Sequence, residues 1–204
     1  FGWLVLYLFC ASPAVCKSFG GDVGPGMKSL NCGTFYEPFG TSLRMSDLGY
    51  NSHTQARLDM SINNLDDYIS DLDKAITTPE PAYQTIGLKE NSGYKQLSVN
   101  QLQIENEYYS PIRPKSVAFS GERPTAALRR SGIEYVEIRS LDINVFDPVG
   151  INQNTMRFME AFLIYCLLKE SPPFTKENNE EALKNHTATA KRGRDPLLEL
   201  QRDG

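Results

Sequence analysis

A strand-like stretch with two opposite charges on an otherwise apolar face sets the tightest limit on how this chain can fold. Residues 133–144 (IEYVEIRSLDIN) are rich in β-branched and aromatic residues, which predicts a strand. Successive side chains of a strand point to opposite faces, so alternate residues share a face. That face carries, in order, Ile133, Tyr135, Glu137, Arg139, Leu141 and Ile143. Any fold that uses this strand must therefore give both charges a partner.

Two interpretations account for Glu137 and Arg139, whose Cα atoms would lie about 7 Å apart along a strand. In the first, they form a buried ion pair, which gains little net stability because both charges lose their water. In the second, they belong to a phosphoryl-transfer site, where a carboxylate binds Mg²⁺ and a guanidinium binds phosphate oxygens bidentately. Spacing by itself favours the ion pair and leaves the second interpretation open.

Residues 104–115 (IENEYYSPIRPK) combine acids, tyrosines and an arginine in the same way. The pattern predicts an extended segment with Glu105, Glu107 and Tyr109 on one face, and Arg113 follows just beyond it. A solvated face would explain the glutamates. It explains less well why two tyrosines and two acids stand beside a Pro-Ile-Arg-Pro sequence.

Residues 42–50 (SLRMSDLGY) contain a candidate binding site for a small carboxylate. Arg44 could hold such a group through its guanidinium fork and Tyr50 through its hydroxyl. The alternative is a surface loop with an incidental arginine. For this segment taken alone, the surface loop is the better interpretation.

The remaining segments predict a mixed fold. Residues 63–79 form an amphipathic helix pattern, residues 97–109 read as extended, and residues 123–132 read as a short helix between Pro124 and Gly132. A further helix is predicted over 153–169. Since strands do not alternate strictly with helices, the order favours an α+β fold over a doubly wound sheet. The polar residues after Pro173 predict a mobile tail over 174–204.

Composition excludes some functions. The chain has 204 residues, a formal charge of −4 and no basic run longer than two or three residues, which argues against nucleic-acid binding. The apolar runs FGWLVLYLFC (1–10) and AFLIYCLL (161–168) are too short to span a bilayer, so both are expected to be core helices. The four cysteines lack metal-ligand spacing and are expected to be buried thiols, and His53 has no partner that would make a zinc site.

Four blocks of the chain together resemble one enzyme family. TSLRMSDLGY, QIENEYYSPIRPK, GIEYVEIRSLDIN and FGWLVLYLFCASPAVC are similar to blocks of bacterial glutamate–cysteine ligases of the proteobacterial type, also called γ-glutamylcysteine synthetases. The blocks follow the same order as in the family. The resemblance is weakest in the glycine-rich loop at 18–30 and after Pro173.

The resemblance implies an ATP-dependent ligation. The family joins the γ-carboxylate of L-glutamate to the amine of L-cysteine through a γ-glutamyl phosphate, the first step of glutathione biosynthesis, and uses Mg²⁺. It also implies a glutamine-synthetase-like funnel, in which a curved antiparallel sheet is flanked by helices. A cytoplasmic monomer is expected, with ATP, L-glutamate and L-cysteine as its partners and neither nucleic acid nor membrane among them.

The resemblance also assigns residue roles. It implies that Glu137 is a magnesium ligand, that Arg139 is catalytic and contacts phosphate, and that Arg113 also binds the nucleotide. It further implies that the cysteine substrate is bound by Arg44, Tyr50 and Tyr109.

The family's chains are longer than this one, and this difference leaves alternatives open. The resemblance implies that residues 1–204 are the central portion of a single catalytic domain, truncated at both ends and lacking most acidic metal ligands, so that the 204 residues alone are expected to be inactive. A related carboxylate–amine ligase with another amine acceptor is one alternative. A non-catalytic module that binds substrate or nucleotide is the other.

Overall fold

The computed structural model describes residues 13–18, 26–49 and 54–202 of the chain. The chain divides into two compact units, and each is described here by itself. The discontinuous unit comprises Phe1–Tyr50 and Ser140–Gly204, and the central unit comprises Asn51–Arg139. The predicted core helix at 1–10, with Cys10, and the residues Tyr50 and His53 lie outside the described residues.

The described residues contain seven short strands and five α-helices. In chain order they are β1 (Ala14–Cys16), β2 (Lys28–Asn31), β3 (Thr34–Tyr36), α1 (Leu65–Thr77), α2 (Pro81–Ile86), β4 (Lys89–Glu90), β5 (Gly93–Tyr94), β6 (Ile112–Lys115), α3 (Pro124–Ser131), β7 (Tyr135–Ile138), α4 (Gln153–Leu168) and α5 (Lys176–Arg192). Short 3-10 helices lie at Leu43–Met45, Gln55–Arg57 and Glu105–Glu107. Helices with small antiparallel sheets confirm the predicted α+β class.

The core of the central unit forms around α1. Asn64 caps this helix by accepting a hydrogen bond from the backbone N–H of Asp67, and the predicted apolar stripe is buried. Ile69 and Leu72 pack with Leu102 and Leu128, all at most 3% exposed. Burying each such side chain contributes about 1.5–3 kcal/mol relative to leaving it exposed. The predicted helices at 63–79 and 123–132 are thus confirmed.

The β6–β7 pair is antiparallel and sets the register of the charged residues. Arg113 lies opposite Glu137, and Lys115 lies opposite Tyr135. The pairing continues past β7 with a hydrogen bond from Arg139 N to Pro111 O of 2.8 Å. The strand predicted over 133–144 is therefore much shorter, because beyond residue 139 the backbone turns into a loop closed by hydrogen bonds such as Asn144 N to Gly150 O.

The extended segment predicted over 97–109 is wrong, and the strand begins later, at Ile112. Residues Glu105–Glu107 form a 3-10 helix instead, so Glu105, Glu107 and Tyr109 do not share one face of a strand. Pro114 lies inside β6, a position that strand rules disfavour. It is tolerated because β6 has only one partner strand in its two-stranded sheet.

The discontinuous unit contains the sheet β1-β3-β2 and the helices α4 and α5. The bounds predicted for α4 are confirmed, but its burial was predicted wrongly. Only Met159 and Phe162 are buried, whereas Leu167 is 82% exposed and Leu168 78%. The expectation of buried thiols is also wrong where it can be checked, since Cys16 and Cys32 are exposed and Cys166 is partly exposed.

Helix α5 occupies much of the predicted mobile tail. Thr175 forms a reciprocal capping box with Asn178, and Ala190 near the other end of the helix is fully buried. Mobility over 174–204 stays a prediction, but most of this segment has regular structure. In the part of the chain described, no helix combines the length and the apolar character needed to cross a bilayer.

Candidate active site

Strands β6 and β7 bring three charged side chains together on one face. Arg113 donates from Nη2 and Nε to Glu137 Oε2, at 2.8 and 3.1 Å, and Lys115 Nζ lies 3.6 Å from the same oxygen. Burial acts to raise the pKa of the Glu137 carboxyl. The hydrogen bonds and charge of Arg113, with the charges of Lys115 and Arg139, outweigh it and lower that pKa. Glu137 is therefore ionised at neutral pH.

Arg113 is buried and links this carboxylate to the preceding turn. Its side chain is 9% exposed, and Nη1 donates to the backbone oxygens of Tyr108 at 2.9 Å and Asn106 at 3.4 Å. The guanidinium thus donates hydrogen bonds both to the charged carboxylate of Glu137 and to neutral backbone oxygens. The ion pair expected between Glu137 and Arg139 is formed instead by Glu137 and Arg113.

Arg139 lies over an aromatic ring. Its guanidinium carbon is 4.9 Å from the ring centroid of Tyr109, which is a cation–π distance. The backbone of Tyr109 is fixed independently, because its N–H donates to Gln55 Oε1 at 2.9 Å. Two residues with predicted site roles are therefore in contact, although 30 positions separate them in sequence.

Glu105, a candidate in the same sequence block, has another role. Its buried carboxylate accepts hydrogen bonds from the backbone N–H of Thr125 at 2.8 Å and from the Thr125 hydroxyl at 2.9 Å. Arg123 forms an ion pair with it. Glu105 thus satisfies a free donor in the first turn of α3, which otherwise has no side-chain cap. Glu107 accepts from the backbone N–H of Gln103 and also faces the protein.

A cavity of about 310 Å³ opens beside these residues within the central unit. Its lining includes the apolar Leu72 and Leu128, the phenol rings of Tyr68 and Tyr135, the cations Arg113 and Lys115, and the acid Glu105. Burial raises the pKa of the Tyr68 hydroxyl, so this group stays neutral. A cavity lined by both apolar and cationic side chains suits a ligand that has both a flat ring and negative charge.

Arg44 lies in the discontinuous unit, on the 3-10 helix Leu43–Met45. Its Nε donates to Asp142 Oδ1 at 2.6 Å and its Nη2 to the backbone oxygen of Leu141 at 3.1 Å. The side chain of Asp142 is only 6% exposed, and its Oδ2 is buried without a hydrogen-bond partner. Sequence reasoning missed Asp142, although it lies within the strand-like block 133–144, on the face opposite that of Glu137 and Arg139.

Helix α5 supports the segment that carries Arg44. The backbone N–H groups of Thr41 and Ser42 donate to Ala190 O, and His186 Nε2 lies 2.8 Å from Met45 O. Burial lowers the pKa of His186, which keeps the imidazole neutral and able to donate to that carbonyl. The segment that sequence analysis treated as a tail therefore helps to hold a predicted site residue.

Comparison with known proteins identifies the family. The family model for glutamate-cysteine ligase matches residues 1–189. A glutamate–cysteine ligase from Alcanivorax borkumensis is 49% identical over 205 residues, covering 98% of this chain and 39% of that protein. One from Pseudomonas fluorescens is 50% identical over 206 residues, covering all of this chain and 38% of that protein. The chain thus spans well under half the length of these curated relatives.

Solved structures agree with this assignment. The crystal structure of glutamate–cysteine ligase from Francisella tularensis in complex with AMP superposes with a TM-score of 0.91 at 43% identity, covering 98% of this chain and 40% of that one. A bifunctional glutathione synthetase from Pasteurella multocida shares the fold, with a TM-score of 0.62 at 22% identity. The sequence blocks, the fold and the matched family model agree, and the chain belongs to the glutamate–cysteine ligase family.

Proposed function

We propose that these residues form part of an ATP-dependent ligase that joins the γ-carboxylate of L-glutamate to the amine of L-cysteine, the first step of glutathione biosynthesis. One observation carries the proposal. The chain belongs to this family, and its ionised Glu137 carboxylate forms ion pairs with Arg113 and Lys115. Arg139 follows Glu137 by two residues. We place the reaction in the cytoplasm, where ATP and reduced thiols are both available, and expect the protein to act as a monomer.

The chemistry explains why ATP is needed. A carboxylate is a poor electrophile, so an oxygen of the γ-carboxylate first attacks the terminal phosphorus of ATP, and ADP leaves. The amine nitrogen of the acceptor then attacks the carbonyl carbon and loses a proton, while the bond from carbon to the phosphate oxygen breaks. Negative charge builds on the transferring group, which cationic side chains stabilise.

Arg139 is the residue we assign to that charge. Its guanidinium can bind two phosphate oxygens at once, which a lysine cannot do. The Tyr109 ring beneath it supports the planar group through a cation–π contact. We propose the Tyr109 hydroxyl as a ligand for the carboxylate of the acceptor amino acid, and Arg44 and Tyr50 each stay predicted substrate residues.

The cavity beside Arg113 is our candidate for the nucleotide. Its volume of about 310 Å³ lies at the lower end of the range for small-molecule sites. The related crystal structure from Francisella tularensis contains AMP, which supports an adenine nucleotide as the ligand. Arg113 lines this cavity but donates to Glu137 and to two backbone oxygens, so we propose that it serves the nucleotide mainly by holding Glu137.

Glu137 fits one part of a magnesium site. Both contacts from Arg113 fall on Oε2, and Oε1 makes no hydrogen bond with the described residues. In the ranges 13–18, 26–49 and 54–202, no group of three His, Cys, Asp or Glu side chains is placed to hold a metal ion. We propose that Glu137 contributes a single carboxylate ligand to Mg²⁺, which when bound neutralises charge on the phosphates.

A coupled assay for phosphate release tests the proposal, using the full-length protein that carries these residues. Release that requires ATP, L-glutamate and L-cysteine together supports it. An unchanged rate when L-cysteine is omitted would contradict it. Release with another amine but not with L-cysteine would indicate the related ligase, and nucleotide binding without any release would indicate a non-catalytic module.

A further inference from the structure

The backbone of the turn at residues 106–109 is held by side chains from elsewhere in the central unit. Arg113 Nη1 donates to the oxygens of Asn106 and Tyr108. Gln55 Nε2 donates to the oxygen of Glu107 at 3.0 Å, and Gln55 Oε1 accepts from the N–H of Tyr109 at 2.9 Å. Four consecutive residues thus each have a main-chain group bonded to one of two side chains.

Gln55 uses both halves of its amide in this contact. It stands at the first position of the 3-10 helix Gln55–Arg57 and reaches a segment more than 50 residues away. A primary amide can donate one hydrogen bond and accept another from the same planar group, as the backbone of a neighbouring strand does. The two bonds fix a carbonyl and an N–H two residues apart, and they therefore set the direction in which the chain enters Tyr109.

The ring of Tyr109 is one of the surfaces that support Arg139. The guanidinium lies 4.9 Å from the centroid of the tyrosine ring, so a shift of that ring removes or tilts the surface on which the cation rests. Of the two side chains that hold the turn, only Gln55 bonds the N–H of Tyr109 itself. Gln55 also carries no charge, so replacing it with another neutral residue does not change the net charge near Glu137.

We propose that Gln55 is a positioning residue that fixes Tyr109 and, through its ring, the guanidinium of Arg139. The effect on the amine acceptor rests on the function proposed above, whereas the effect on geometry does not. Gln55 acts on the turn through its bonds to the Glu107 oxygen and the Tyr109 N–H. Its loss should therefore weaken acceptor binding more than nucleotide binding.

Two substitutions at this position separate the bonds. Gln55→Met keeps the length of the side chain and removes both hydrogen bonds. Gln55→Glu keeps the acceptor for the Tyr109 N–H and removes the donor to the Glu107 oxygen. Gln96→Met is the matched control, because Gln96 also bonds two backbone groups outside this turn: its Nε2 donates to the oxygens of Tyr83 and Gly87.

The first measurement needs no activity. Nuclear magnetic resonance of each folded variant follows the Tyr109 amide and the Arg139 Nε–H group. Gln55→Met should increase the hydrogen exchange of the Tyr109 amide by about fivefold or more and shift the Arg139 signal, since a net hydrogen bond is worth about 1 kcal/mol and its loss opens the turn. Gln55→Glu should keep most of the Tyr109 protection, and Gln96→Met should change neither signal.

The second measurement is kinetic and uses the full-length protein. Gln55→Met should raise the KM for the amine acceptor about tenfold and change the KM for ATP less than twofold, with partial rescue in Gln55→Glu. Unchanged Tyr109 and Arg139 signals in Gln55→Met would overturn the positioning role, as would equal rises in both KM values. A wild-type protein without ligase activity would instead refute the proposed function, while the spectra would still decide the role of Gln55.

Discussion

Replacing Arg113 with methionine should destabilise the central unit and raise the pKa of Glu137 together. The substitution keeps a long apolar side chain and removes two hydrogen bonds to Glu137 Oε2 and one of 2.9 Å to Tyr108 O. Hydrogen bonds to charged groups contribute about 1.5–3 kcal/mol and a neutral one about 1 kcal/mol. Because the two hydrogen bonds to Glu137 share a single acceptor oxygen, together they contribute little more to the free energy of unfolding than one such bond.

The expected loss is about 2–4 kcal/mol in the free energy of unfolding, below the roughly 3–5 kcal/mol found when one partner of a fully buried pair is removed. The reduction reflects the 37% exposure of the Glu137 side chain and the remaining cation of Lys115. Urea unfolding of both proteins measures the difference, and a carboxyl-carbon titration by nuclear magnetic resonance measures the pKa of Glu137.

Arg129→Met is the matched control for this experiment. Arg129 is a half-exposed arginine of α3 whose partner is Asp73 of α1. Exposed pairs contribute about 0.2–1 kcal/mol, so this variant should lose no more than that. Equal losses in the two variants, or an unchanged Glu137 pKa in Arg113→Met, would refute the reasoning that Arg113 organises this part of the structure.

Three further predictions concern the reaction and the discontinuous unit. Tyr109→Phe should raise the KM for the amine acceptor several-fold and leave the KM for ATP nearly unchanged in steady-state assays, because it removes only the hydroxyl. Arg139→Lys should lower kcat by about 100-fold, since lysine cannot bind two phosphate oxygens; unchanged turnover would remove its phosphate role. Burial lowers the folded pKa of His186, so its neutral form stabilises the fold above the unfolded pKa of about 6.5, and that stability should decline as pH falls below this value. Urea unfolding at pH 7.5 and pH 5 should show a smaller difference in His186→Gln than in the wild type.

Local patterns made several elements predictable from sequence. Helix α1 has its cap, its apolar stripe and its terminating Pro79 within one short segment, so no distant contact was needed to predict it. The same holds for α3 between Pro124 and Gly132. The bounds of α4 could also be predicted from local sequence. Its burial could not, because burial depends on which surfaces pack against the helix, and the helix sequence does not contain that information.

The roles of the site residues depend on contacts that are distant in sequence. Glu137 was recognised as unusual by its place on a strand face, but its partner Arg113 is 24 residues away and became visible only through the β6–β7 register. Glu105 looked like a site carboxylate and instead bonds the first turn of α3. Gln55 was missed because its partners are backbone groups, which carry no sequence signature.

Transfer of oxygen from substrate to phosphate tests the central proposal most directly. L-glutamate labelled with oxygen-18 in its γ-carboxylate is incubated with ATP, L-cysteine and the full-length protein, and the released phosphate is analysed by mass spectrometry. If the carboxylate is activated as an acyl phosphate, each turnover leaves one labelled oxygen in phosphate. Product formed with unlabelled phosphate would contradict the proposed mechanism.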